Sequence, residues 1–474
     1  MELLRRLYAP DYMLKPSQKQ QEHYSTKDIY KTFMKVAWPA TAESVLIGLV
    51  NFIDSVMVSS IGHAAVAAVG LTGQPRMILL ILAQALATGT TAVIARRKGA
   101  GDQKAANACL TQSMYVITVL GILMTLVGYF FAEPFMRFAG ANEDTIGMST
   151  TYFRILALGF PLNCWSLCNC ASMRAIGQTK ITMTTNITAN IVNVILNYCL
   201  IGGHFGFPAL GVTGAAIATV CGTATSCAIA FAFALKKGGY LRLRFSFPPK
   251  FDRETMNGLI TVGSGSIAES VFLRIGFLIN SKLIAGVGTA AFAAYQIVMQ
   301  VASLSFTLGD GIATAGTTMV GQSLGAKRPD LARANVAIAR RLSLMASVLL
   351  MAIVMLFRTK IGVLFTDEPA VLEGVATAFL VVVLGMIGQN GRVVYAGCLR
   401  GAGDVKYVAM CSLISVSILR PFCTWLFCYP LAPVLPVLSL TVTGPWIAFA
   451  IDAYFRQWLL ARRIARGEWL AIKI

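Results

Sequence analysis

The chain has 474 residues, 56% of them hydrophobic and 13% charged, with a formal net charge of +19. A soluble domain carries about 25% charged residues, so the composition excludes an ordinary soluble fold and points to a polytopic membrane protein. The basic residues sit in short loops between apolar runs, which is a pattern of membrane orientation and not of a nucleic-acid partner.

In chain order, Met1–Lys35 is polar and basic and lacks the apolar core and small-residue cleavage site of a signal peptide. Leu3–Tyr12 is expected to lie as a short interfacial helix. Twelve apolar spans follow, at roughly 34–60, 66–95, 107–132, 147–171, 181–202 and 209–236, then 256–285, 291–321, 333–357, 371–398, 405–429 and 440–462. Each is long enough to cross about 30 Å of hydrocarbon. The terminal tails and even-numbered connections hold about 31 Lys and Arg, and the odd-numbered ones about three: Arg137, Arg358 and Lys360. Both termini are therefore expected in the cytoplasm. The expected division is a tail at 1–34, an N-lobe at 35–236, a cytoplasmic linker at 237–254 broken by Pro248-Pro249, a C-lobe at 255–463 and a tail at 464–474.

The spans repeat. AESVLIGLVNFIDSVMVSS from Ala42 meets AESVFLRIGFLINSKLIAG from Ala268, an offset of 226 positions. At the same offset Glu43 meets Glu269, Asp54 meets Asn280, Gly62 meets Gly288, Arg174 meets Arg400 and Gly177 meets Gly403. Six spans per half keep both halves in one orientation, related by an axis along the membrane normal. Such a pair is expected to enclose a cleft that opens alternately to each side, a transporter's design.

Ionisable groups inside spans are costly and mark functional candidates. Here they include Glu43, Asp54, Arg154, Glu269, Arg274, Asp310, Arg392, Arg420 and Asp452. Asp54 follows Glu43 by three turns plus about 20°, so both face the same way, about 16 Å apart. In the fifth span Asn186, Asn190, Asn193 and Asn197 form one stripe, which must look inward because amides are costly in lipid. Asn193 and Asn197 match Asp54 in depth, giving an oxygen site suited to Na+ or to a protonatable acid. Asn186 and Asn190 read as packing contacts. The second-half equivalents of the stripe are Ser412, Val416, Leu419 and Cys423, so an amide-lined site belongs to the first half. Arg420 and Asp452 are expected to pair. Cys164, Cys168 and Cys170 read as small buried residues and not as a metal site. No P-loop, G-x-S-x-G or H-E-x-x-H motif occurs, which leaves no catalytic constellation, no enzyme and no ATP site; no cofactor is expected beyond a coupling ion.

NFIDSVMVSSIG in the first span, VGQSLGA from Val320, CLRGAGD from Cys398 and its partner MRAIGQTK from Met173, with N-x-x-x-N in the fifth span, resemble the MATE (multidrug and toxic compound extrusion) transporter family. The resemblance implies an all-α integral membrane protein, twelve transmembrane helices in two pseudo-symmetric six-helix bundles. It also implies plasma-membrane antiport of organic substrates, usually bulky cations, against Na+ or H+. It places the cation-coupling site at Asp54, Asn193 and Asn197. Glu43, Glu269, Asp310 and Gln389 become a substrate cavity or second ion site, with Gln389 standing where some members carry Asp. The expected protein is a monomer in the bilayer without nucleic acid. A lipid-linked oligosaccharide flippase of the wider superfamily, a membrane-embedded enzyme such as a lipid transferase, and a channel whose cleft acids form a ring are the rival readings.

Overall fold

The computed structural model describes residues 26–236, 238–243, 251–363, 369–434, 440–472 and 474. The expected helix at Leu3–Tyr12 and the Pro248-Pro249 break lie outside the described residues. In order the helices are α1 Thr26–Ser59, α2 His63–Gly99, α3 Gln103–Phe130, α4 Ala132–Phe138, α5 Glu143–Leu158, α6 Phe160–Ala175, α7 Thr179–Gly202 and α8 Gly211–Leu235. The second half adds α9 Arg253–Val287, α10 Thr289–Gly325, α11 Pro329–Val363, α12 Pro369–Ala402, α13 Val405–Ser412, a π-helical turn at Leu413–Leu419, α14 Arg420–Cys428 and α15 Leu440–Arg466.

Among the described residues nine helices are long and apolar enough to cross a membrane, ten when the bent pair α5–α6 is one span. The two remaining long helices fall short because of what they carry: α7 has the asparagine stripe, and α15 has Asp452 and Arg456. Adding them gives twelve spans. Side chains such as Leu278, Leu356, Met345 and Val119 are left bare on helix exteriors, as a hydrocarbon surround permits.

Local breaks have local causes. The fourth span bends by 50° between α5 and α6. Gly159 and Pro161 sit at this break, and Pro161 has no N–H to return to the preceding turn. By contrast α1 runs unbroken across Pro39. The π-helical turn precedes Pro421, whose missing N–H leaves the usual carbonyl without its partner and lets the helix widen there. Asp252 caps α9: its carboxylate accepts from the Thr255 hydroxyl at 2.7 Å and backbone N–H at 2.9 Å, which holds it below the usual carboxylate range.

The repeat is physical. Gly177 and Gly403 both take left-handed φ, 83° and 88°, closing the turns after Arg174 and Arg400. Thr91 reaches the Ala171 carbonyl at 3.4 Å, and Thr317, 226 positions on, reaches that of Gly397 at 2.8 Å. The described residues pack as two compact units: those within Ala42–Gly263 with Ile474, and those from Thr26 to Thr41 with those from Ser264 to Ile472. In the first a core forms around Phe153, Phe160, Leu110, Met114 and Ile117. The second holds one core around Val394, Leu399 and Trp469 and another around Phe379, Val382 and Trp446.

Candidate functional site

The first unit contains a polar cavity of about 440 Å³. Six helices carry the lining: Asp54 on α1, Arg76 on α2, Tyr152 on α5, Asn163 and Arg174 on α6, Asn190 and Asn193 on α7, and Thr219 on α8. These side chains converge because the stripe of α7 turns away from lipid and toward α1 and α8.

Asp54 is the centre of the arrangement. Asn197 Nδ2 donates to its Oδ1 at 2.9 Å. With the Asn193 amide set by its surroundings, its nitrogen donates to both Asp54 oxygens at 3.0 and 3.1 Å, and its oxygen accepts from the Thr219 N–H at 3.2 Å. Turning that amide over would set its oxygen against the carboxylate, which requires a proton or a cation between them. Asn197 Oδ1 is buried and has no hydrogen-bond partner among the described residues. One carboxylate and two amides make a singly charged oxygen set, which matches a monovalent cation or a proton.

The other candidates, Glu43, Glu269, Asp310 and Gln389, do not line this cavity. Glu43 does not line the cavity; it is buried behind it. Its carboxylate accepts from Arg174 Nη1 at 3.2 Å, from Thr182 at 2.9 Å and from Asn186 Nδ2 at 2.6 Å. Asn186 therefore positions an acid as well as packing. Glu269 makes the equivalent pair with Arg400, at 2.8 and 3.1 Å. Both carboxylates are spent on guanidinium partners, so neither is a free charge for a cationic ligand. Gln389 is buried, and its oxygen accepts from Arg392 Nε at 2.5 Å. Asp310 lies exposed on α10. Arg420 pairs with Asp452, as the sequence leads one to expect. The three clustered cysteines are buried and free.

The alignment of the fifth and eleventh spans needs correction. Asn280 stands where the first half has Asp54, and its oxygen accepts from Thr424, not from a neighbour at Cys423. The π-helical turn inserts one residue, so Thr424 and not Cys423 is the counterpart of Asn197. Sequence reasoning missed Arg76 and Arg174 as residues of the cavity wall. For Arg174 the signal was present, since Glu43 and Arg174 recur together at one offset as Glu269 and Arg400.

The MatE family model matches residues 39–199 and 266–426, one match in each half. A probable multidrug resistance protein NorM from Thermotoga maritima is 26% identical over 446 residues, covering 93% of each chain. The multidrug resistance protein PmpM of Pseudomonas aeruginosa is 27% identical over 397 residues, 81% of each. Among solved structures, an outward-facing multidrug resistance MATE family transporter superposes with a TM-score of 0.85 at 21% identity, covering 94% of this chain and 97% of that one. A MOP superfamily transporter from Pyrococcus furiosus gives 0.84 at 21% identity, with 94% and 97% covered. A duplicated pattern of spans, matched in both halves by one family, places the chain: it belongs to the MatE family of multidrug and toxic compound extrusion transporters, multi-pass membrane proteins that are not enzymes.

Proposed function

We propose that this protein is a secondary active antiporter that exports organic compounds, cationic and amphiphilic in kind, in exchange for Na+ or H+ by alternating access. The names of its relatives, multidrug resistance proteins, support the export of drugs. The observation that carries the coupling is Asp54, held by Asn193 and Asn197 in the wall of a polar cavity.

Antiport requires that ion and substrate each favour the conformation that releases the other. In this reading Asp54 takes up H+ or Na+ from outside and loses its net charge. The amides follow: Asn193 turns its oxygen toward a bound cation, and Asn197 Oδ1 supplies a further ligand. With the charge gone, α1 and α7 draw together at this level and the cavity narrows, which expels substrate outward. Arg76 sets the sign of the empty site: it offsets Asp54, so the cavity is near neutral before the ion binds and carries the cation's charge after it. An organic cation is then disfavoured by the ion-bound state, as exchange demands.

The basic loops support a plasma-membrane orientation with both termini cytoplasmic, and we take the working unit to be a monomer. The test is substrate efflux from proteoliposomes under an imposed Na+ gradient or an imposed pH gradient, one at a time. Efflux driven by one of them identifies the coupling ion; efflux indifferent to both overturns the antiport.

A further inference from the structure

The second unit holds a buried charge cluster that the coupling site does not use. Arg392 comes from α12, Arg420 from α14, and Asp452 and Arg456 from α15. Arg420 and Arg456 are each 2% exposed and Asp452 is fully buried. Asp452 is already committed: Arg420 donates to Oδ2 through Nε at 3.0 Å and through Nη2, while the Ser415 hydroxyl donates to Oδ1. Arg392 gives Nε to Gln389, a neutral acceptor.

Arg456 is the unmatched member. Nη1 donates to Ser412 Oγ at 3.1 Å, but Nε and Nη2 have no hydrogen-bond partner among the described residues. Those two N–H groups form the side-on edge of the guanidinium, the fork that receives a carboxylate or a halide. The charges do not balance either. Among the described residues, the buried charged groups within electrostatic reach of both Arg392 and Arg456 include Arg420, Asp452 and Glu269, and Glu269 is bidentate with Arg400. Among the described residues four guanidiniums thus face two buried carboxylates. Exposed Asp310, which is near Arg392 and Arg400, reduces the surplus to one positive charge. A guanidinium cannot discharge by losing its proton, and an uncompensated buried cation is strongly destabilising.

We propose that the Nε–Nη2 edge of Arg456 is a binding site for a small monovalent anion, which neutralises the surplus charge of this cluster. A halide from the medium or the carboxylate of a small organic acid would serve; the chemistry at the edge is the same. The anion satisfies two buried donors and supplies the missing charge, so it contributes to holding α12, α14 and α15 together.

The experiment is thermal unfolding of the purified full chain in detergent, with Na+ and ionic strength fixed and chloride replacing bulky gluconate. Tm should rise saturably with chloride in the wild type and equally in Asp54→Asn, which separates this site from the coupling carboxylate. Formate in place of chloride distinguishes the sources: a response to chloride alone assigns a halide, and a matching response to formate assigns a carboxylate. Arg456→Gln should abolish the rise. If that variant does not fold, chloride line broadening in 35Cl NMR on the wild type, reversed by bromide, reads the same site. A flat Tm together with absent line broadening, or an undiminished rise in Arg456→Gln, overturns the proposal.

Discussion

Asp54→Asn keeps the shape of the side chain and removes its charge. The effect on folding is small by the contacts present. The carboxylate gives up charge-assisted hydrogen bonds from Asn193 and Asn197, each stronger than a neutral bond by about 1 kcal/mol. In return the new amide keeps an oxygen to accept from Asn197 Nδ2 and donates its own N–H to the Asn193 oxygen once that amide turns over. The net cost should stay within about 1–2 kcal/mol, so the variant should fold and reach the membrane. The effect on the ion is large. Asp54 is half-buried, so an effective dielectric near 20 applies, and a charge pair at 4 Å is then worth about 4 kcal/mol. At about 1.4 kcal/mol per tenfold, Na+ affinity should fall roughly a thousandfold, and a proton site is lost outright. In proteoliposomes the variant should still bind substrate, by equilibrium titration, but show no efflux driven by either gradient. Efflux at the wild-type rate with unchanged ion dependence would refute the reasoning.

Asn197→Asp adds a second carboxylate beside Asp54 and should raise cation affinity at least tenfold, read by Na+ titration of substrate release; unchanged affinity would remove Asn197 from the site. Glu43→Gln removes the carboxylate that pairs with Arg174, and because that guanidinium is 19% exposed the cost in thermal unfolding should be about 2–3 kcal/mol, below the ~3–5 of a fully buried pair. Glu269→Gln should cost as much or more, since Arg400 binds it through two donors, while gradient-driven efflux persists; its loss would place coupling in the wrong half. Gly401→Ala would press a Cβ onto the Thr317 carbonyl where α10 and α12 touch, and should cost about 1–3 kcal/mol in thermal unfolding. A cysteine at Lys236, which is exposed, should be labelled by an impermeant thiol reagent only from the cytoplasmic side, and labelling in intact cells would invert the topology.

What was legible in the sequence follows from which forces act locally. Span positions come from apolar runs, and nothing in a bilayer competes with that signal. The meeting of Asp54 with Asn193 and Asn197 was legible because helical spacing and depth are both simple functions of residue number. The π-helical turn was not. It arises from a single missing N–H at Pro421 and shifts everything after it by one position, so Thr424 rather than Cys423 meets Asn280. Partner choice among buried charges was also hidden. Glu43 and Arg174 are 131 positions apart, and no periodicity joins them. Only the shared offset of Glu43 with Glu269 and of Arg174 with Arg400 connects the two pairs.

That offset separates what the duplication kept from what it released. Both halves retain a glutamate in the first helix, tied to an arginine that precedes a left-handed glycine turn. Such a pair is costly to break on one side, because removing either partner leaves a buried charge. It is therefore hard to lose through single substitutions and needs no role in transport to persist. The position of Asp54 obeys no such constraint. Its counterpart Asn280 accepts a hydroxyl hydrogen bond from Thr424 at 2.7 Å, a closed neutral pair with no charge to offer an ion. A second coupling site of the Asp54 kind would need a carboxylate at position 280 and an open oxygen opposite it, and both are missing. The charges of the second half lie instead around Arg392, Arg420, Asp452 and Arg456, where cations outnumber acids. This contrast supports the proposed exchange of a cation in the first half, and it is the same surplus on which the proposed anion site of the second half rests.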